Sequence, residues 1–62
     1  MTDRVKFIFN EGNQSSQMIL YIDYGWRSSD GRIWAVTSDE KIYVIPDEGM
    51  PIRADIRVVS TN

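Results

Sequence analysis

Neither cysteine nor histidine occurs in these 62 residues. Without cysteine there are no disulfide staples, no thiolate nucleophiles and no cysteine-based zinc sites. Without histidine the commonest general base and the commonest transition-metal ligand are missing. An excess of basic charge is also lacking: seven Lys and Arg against nine Asp and Glu leave a net charge of −2. That balance speaks against non-specific binding to nucleic acid, which needs a basic footprint. No apolar run approaches the roughly 18 residues of a membrane span. The first residues, Met1-Thr2-Asp3-Arg4, carry no apolar signal core. With no disulfide to form, the chain suits a reducing cytoplasm. Neither a cofactor nor a metal site is expected, and enzymatic chemistry would have to rest on carboxylates alone.

What the sequence does hold is apolar and aromatic. Phe7, Phe9, Tyr21, Tyr24, Trp26, Trp34 and Tyr43 are spread over most of its length. A chain of this size makes one domain, expected over residues 1–62 with 60–62 frayed, and buries only about 60% of its unfolded surface. The aromatics must therefore supply much of the core, at roughly 150–250 Å² each.

Turn chemistry divides the chain. Residues 10–16, Asn-Glu-Gly-Asn-Gln-Ser-Ser, read as a polar loop. Ser28-Ser29-Asp30-Gly31 is a strong turn and Ser38-Asp39-Glu40 a shorter one. Residues 46–51 form a loop bounded by Pro46 and Pro51. Between these lie five segments rich in β-branched and aromatic residues, which predict strands over 4–9, 17–26, 32–37, 41–45 and 52–59. In the last segment Ile52, Ala54, Ile56 and Val58 alternate with Arg53, Asp55 and Arg57, favouring strand over the helix that Pro51 would allow.

The Asp30-Gly31 turn fixes a register. With Gly31 in the left-handed position of a three-residue loop, Ser28 opposes Arg32, Trp26 opposes Trp34 and Tyr24 opposes Val36. For the next hairpin, a three-residue loop places Ile42 and Val44 on the tryptophan face; a four-residue loop places Tyr43 and Ile45 there. The fold expected is all-β: a five-stranded antiparallel meander, strongly curved or closed into a small SH3-like barrel, with Trp26 and Trp34 on its inward side. Met18, Leu20, Ile22, Tyr24 and Trp26 would then share one face of the second strand. Ile19, Tyr21, Ile33, Ala35 and two residues of the fourth strand would form a second apolar face beside Asp23.

Tyr21-Ile22-Asp23-Tyr24 resembles the acidic-aromatic segment of SH3 domains over four residues. The adjacent-tryptophan and late Pro-x-x-Tyr segments of that family are missing, and two core tyrosines flanking a solvated Asp account for the pattern. Phe7-Ile8-Phe9 beside Lys6 is similar to the stacking strands of RNA-recognition and cold-shock folds, but no glycine breaks the run, which fits a core strand better. Six acids, Glu11, Asp30, Asp39, Glu40, Asp47 and Glu48, lie in expected turns. In a meander alternate loops share an end, so Asp30 should neighbour Asp47 and Glu48, and Glu11 should neighbour Asp39 and Glu40. Calcium-loop spacing is absent from all of them.

Together these features point to a non-enzymatic protein-binding module. Tyr21, Ile33 and Tyr43 would be its apolar anchors, and Asp23, Asp30, Asp47 and Glu48 its polar rim, selecting a basic or nucleic-acid-binding protein. Small size and loop-borne acids are shared with phage-encoded inhibitors of the anti-CRISPR and anti-restriction kind, whose carboxylates stand where DNA phosphates would sit. Two other expectations come from different classes. One is a nucleic-acid-binding barrel using Lys6, Arg27, Arg32, Arg53 and Arg57. The other is a homo-oligomeric structural subunit whose second sheet face meets its own copy.

Overall fold

A computed structural model of the chain describes residues 2–56. Its five strands are β1 (Asp3–Glu11), β2 (Gln14–Arg27), β3 (Ile33–Thr37), β4 (Ile42–Ile45) and β5 (Ile52–Arg53). They form one antiparallel sheet in the order β1-β2-β3-β4-β5. This is the all-β meander expected, curled into a half-barrel: among the described residues β1 meets only β2, and β5 meets only β4. Among the described residues no helix is long and apolar enough to cross a membrane.

The first hairpin is tighter than its polar sequence predicts. Glu11 pairs with Gln14, leaving only Gly12 and Asn13 in the turn. Gly12 has φ +60° and Asn13 does not, the signs of a type II′ turn with glycine at its first central position. Residues 14–16 therefore extend β2 rather than forming a loop. Polar side chains do not prevent pairing where a two-residue turn matches the strand twist.

The second hairpin follows the sequence expectation. Trp26 pairs with Trp34 and Tyr24 with Val36. Gly31 takes φ +89°, its N–H donates to the Ser28 carbonyl at 2.9 Å, and the Ser28 N–H donates to the Arg32 carbonyl at 2.8 Å. The third hairpin uses the three-residue loop, with Val36 opposite Ile42 and Trp34 opposite Val44. Glu40 supplies the left-handed residue at φ 65°, where no glycine is present. Of the expected strand 52–59 only Ile52–Arg53 is paired; Ala54 still donates to the Ile42 carbonyl at 2.9 Å, and residues 57–59 lie outside the described residues.

A β-bulge at Asp23 reorganises the faces. Ile22 pairs with Thr37 and Tyr24 with Val36, so two steps along β2 match one step along β3. Neighbours along β3 point to opposite faces. Ile22 therefore shares a face with Thr37, and Tyr24 shares the other with Val36. The set Met18, Leu20, Ile22, Tyr24 and Trp26 is thus divided rather than continuous. One face, here the Phe face, carries Val5, Phe7, Phe9, Met18, Leu20, Ile22, Ile33, Ala35, Thr37, Tyr43 and Ile45. The other, the Trp face, carries Ile8, Ile19, Tyr21, Tyr24, Trp26, Trp34, Val36, Ile42, Val44 and Ile52.

Burial is thin on both faces. Leu20, Ala35, Val36, Ile42 and Pro51 are the buried apolar side chains among the described residues, Thr37 is buried as well, and no large side chain is fully enclosed. Thr37 satisfies its hydroxyl by donating to Asp39 and accepting from the Lys41 N–H at 3.2 Å. Phe7, Ile8, Phe9 and Asn10 stand across an open cleft from residues 45–49. The radius of gyration is 12.7 Å, against about 10.6 Å for a compact chain of this length.

Candidate functional site

The Trp face is where local structure gathers the aromatic side chains. The two hairpins around β3 bring Trp26 opposite Trp34, and the bulge at Asp23 turns Tyr24 onto the same side as Tyr21. The ring centroids of Trp26 and Trp34 are 6.0 Å apart with planes 5° from parallel, and Tyr24 stacks on Trp26 at 6.1 Å and 29°. The tryptophans are neighbours, as their register requires. Trp26 is not on an inward side: it is 42% exposed and its neighbour Tyr24 54%, while Trp34 is half-buried. Tyr21, Ile8, Ile19 and Ile52 add further exposed apolar surface to this face. Ile33 and Ile56 are the exposed large hydrophobics not assigned to it.

A chain of polar contacts holds the stripe at one end. The Trp34 indole N–H donates to the Ser28 hydroxyl at 3.1 Å, and that hydroxyl donates to the Asp30 carboxylate. Asp30 also accepts from the Arg32 N–H at 3.3 Å and pairs with the Arg32 guanidinium at 3.4 Å. The Ser28 hydroxyl, then the Arg32 backbone and charge, hold the Asp30 carboxyl below the ordinary aspartate range. Asp39 is lowered in the same way, first by the Thr37 hydroxyl and then by Lys41, whose ammonium lies 3.2 Å away.

The residues that the sequence marks for partner contact fall into separate places. Tyr21 and Tyr43 both line a recess of about 250 Å³ that Asp39 also borders. Ile33 and Asp47 share another recess, of about 260 Å³, with Gly31 and Arg32. Asp47 and Glu48 border the larger cleft opposite Phe7 and Phe9. Asp23 is the bulged residue and accepts from the Thr2 hydroxyl at 2.8 Å. The patch expected from Ile19, Tyr21, Ile33 and Ala35 does not form. The bulge puts the first two on the Trp face and the last two on the Phe face, where Ala35 is buried.

The acids divide differently as well. The Asp30 turn and the 46–49 loop share one end of the sheet. β1 ends beside that same loop, with Asn10 lining the cleft next to Asp47 and Glu48, so Glu11 does not join Asp39 and Glu40. No three carboxylates among the described residues gather closely enough to hold a metal ion.

Tyr24 and Trp26 are the surface residues that the sequence reading placed in the core. An isolated glycine inside a strand marks a bulge or a close backbone approach. Gly25 does both here: it follows the bulge, and a Cβ on it would lie 2.8 Å from the Trp34 carbonyl oxygen. These observations define an all-β, five-stranded half-barrel that bears an exposed aromatic stripe. No family model, no curated protein and no solved structure matches the chain.

Proposed function

We propose that this chain is a non-enzymatic protein-binding module whose Trp face is the contact surface, with acidic turns that select a basic partner. The observation that carries this reading is the stacked stripe of exposed Tyr24 and Trp26 on half-buried Trp34, on one face with exposed Tyr21 and Ile19. Aromatic side chains supply most of the energy in protein interfaces, and monomers rarely leave a contiguous apolar stripe uncovered. Asp23 and Asp30 stand at the two ends of the aromatic segment of β2. They give the stripe a negative rim complementary to a basic, nucleic-acid-binding surface. In its sharpest form the module is an inhibitor of the phage-encoded kind, occupying such a surface in place of nucleic acid.

The test is affinity capture from lysate, comparing the wild-type chain with Tyr24→Ala/Trp26→Ala. A basic protein retained by the wild type and lost by the variant is expected. Its retention should fall steeply as salt rises from about 0.05 to 0.5 M, where screening shortens to a few ångströms. Equal capture by both chains rejects the stripe as the contact surface.

A second reading, nucleic-acid binding, would draw on Arg27, which follows Trp26 in β2 and, among the described residues, donates to the Gly31 carbonyl at 3.5 Å, but it pairs with Ile33 and so projects from the Phe face rather than beside the stripe. Base-stacking platforms offer free ring faces, whereas Trp26 already has an aromatic ring on either side. Titrating tryptophan fluorescence with single-stranded DNA or RNA at low salt separates the two, because protein-only recognition predicts no quenching.

A further inference from the structure

We infer that the free edge of β1 pairs with β1 of a second copy of this chain, joining two half-barrels into one continuous antiparallel sheet. β1 is nine residues long, and among the described residues it has no partner on the side away from β2. An edge of that length presents a row of unpaired backbone groups that recruits another strand.

The turn fixes which groups those are. A two-residue hairpin loop is closed by a hydrogen-bonded pair, here Glu11 with Gln14. Hydrogen-bonded and non-hydrogen-bonded pairs then alternate along the ladder. Glu11, Phe9, Phe7, Val5 and Asp3 therefore point their N–H and C=O toward β2, while Asn10, Ile8, Lys6 and Arg4 point theirs outward.

A two-fold axis through Phe7 satisfies all four outward residues at once. Arg4 meets Asn10 of the second copy and Lys6 meets Ile8, and by symmetry the reverse. Each of these four pairs exchanges two hydrogen bonds. The intervening non-hydrogen-bonded positions, where side chains approach most closely, stack Phe7 on Phe7 and Val5 on Phe9 and, at each end, set Asp3 against Glu11, all on the Phe face. The neighbouring register centred on Lys6 sets Lys6 against Lys6; the one centred on Ile8 sets Val5 against Glu11. The Ile8-centred register also leaves Arg4 opposite the Gly12 turn, so self-pairing about Phe7 is the register that pairs every outward backbone group of β1 within the strand, at the cost of an Asp3–Glu11 contact at each end.

Phe7 and Phe9 are only half-buried beside an open cleft of about 690 Å³, so the dimer would enclose apolar surface that the single chain leaves wet.

The experiment uses the full chain and three variants. Light scattering of the wild type should give twice the 7.2 kDa of one chain. Ile8→Pro removes an N–H that points away from β2, a place where proline is tolerated in edge strands. It should return the mass to one chain while tryptophan fluorescence and circular dichroism stay as in the wild type. Because the chain has no cysteine, Phe7→Cys introduces a single thiol whose symmetry mate lies within disulfide reach across a non-hydrogen-bonded pair. Oxidation should convert it to a covalent dimer, whereas Ser16→Cys, on the β2 side of the hairpin, should remain single. A wild-type monomer, a dimer indifferent to Ile8→Pro in a folded variant, or cross-linking no better at position 7 than at 16 would each overturn the pairing. None of these results bears on the Trp face, whose capture experiment depends on Tyr24 and Trp26.

Discussion

Asp30 lies in the open, yet it orders its surroundings through the Ser28 hydroxyl, which in turn receives the Trp34 indole N–H. Both Asp30 and Asp39 are held below the ordinary aspartate range by hydroxyl donors and a neighbouring cation. For a group depressed in the folded state, the stabilising contribution is present above its unfolded pKa and is lost as pH falls through the depressed folded value. The thermal midpoint is therefore expected to drop as the solution is acidified below the aspartate range. A chain carrying Asp30→Asn and Asp39→Asn should show a flatter profile there, measured by circular dichroism at a series of pH values. An unchanged slope in the double variant would show that other carboxylates set the acid limit. Ser28→Ala acts on the same contacts from the other side. It should raise the Asp30 pKa, read by NMR titration, and leave the Trp34 N–H to water.

Among the elements, the β2–β3 hairpin was the most legible. Asp30-Gly31 specified the turn, the turn specified the register, and Trp26 opposite Trp34 follows. The β3–β4 hairpin was legible down to two alternatives, and Glu40 resolves them by accepting a left-handed φ of 65°. A left-handed conformation costs a residue with a Cβ roughly 1–2 kcal/mol, so Glu40→Gly is expected to raise stability. The gain should be at most about 1 kcal/mol, since glycine also loses more freedom on folding. A fall in the denaturation midpoint would count against that reading. The bulge at Asp23 was not legible from alternation, because Ile22, Tyr24 and Trp26 keep an unbroken period of two through it. The apolar pattern alone cannot register a residue that is skipped in the pairing. The set Tyr24, Trp26, Trp34, Val36, Ile42 and Val44 kept its shared face but inverted relative to Met18, Leu20 and Ile22. Gly25 was the available signal. Gly25→Ala sets a Cβ against the Trp34 carbonyl oxygen at 2.8 Å. It should cost about 1–3 kcal/mol, the usual penalty of overpacking, and weaken the near-ultraviolet dichroism of the tryptophan pair. If the near-ultraviolet spectrum is unchanged, the close approach at position 25 is not what holds β2 to β3.

For the whole molecule, the decisive contrast is between side chains that hold the sheet and side chains that only ride on it. A domain of this size has roughly 3–5 kcal/mol of net stability from a single core. Among the described residues its buried apolar set is short: Leu20, Ala35, Val36, Ile42 and Pro51. Truncating a buried leucine or isoleucine to alanine costs about 2–5 kcal/mol, so Leu20→Ala or Ile42→Ala should leave little folded protein at room temperature. Trp26 is larger than either, but it is 42% exposed. What it gives the fold is mainly its cross-strand ring contact, about 0.5–1.5 kcal/mol beyond area. Trp26→Ala should therefore remain folded, with a lower midpoint in urea and an intact far-ultraviolet spectrum, while the partner-capture signal disappears. The ordering of these variants is the test. If Trp26→Ala unfolds as readily as Leu20→Ala, the stripe belongs to the core and the Trp face is not a free surface. If it stays folded, the chain is carrying its largest side chains where they do little for stability, which is the position of residues kept for contact with another molecule.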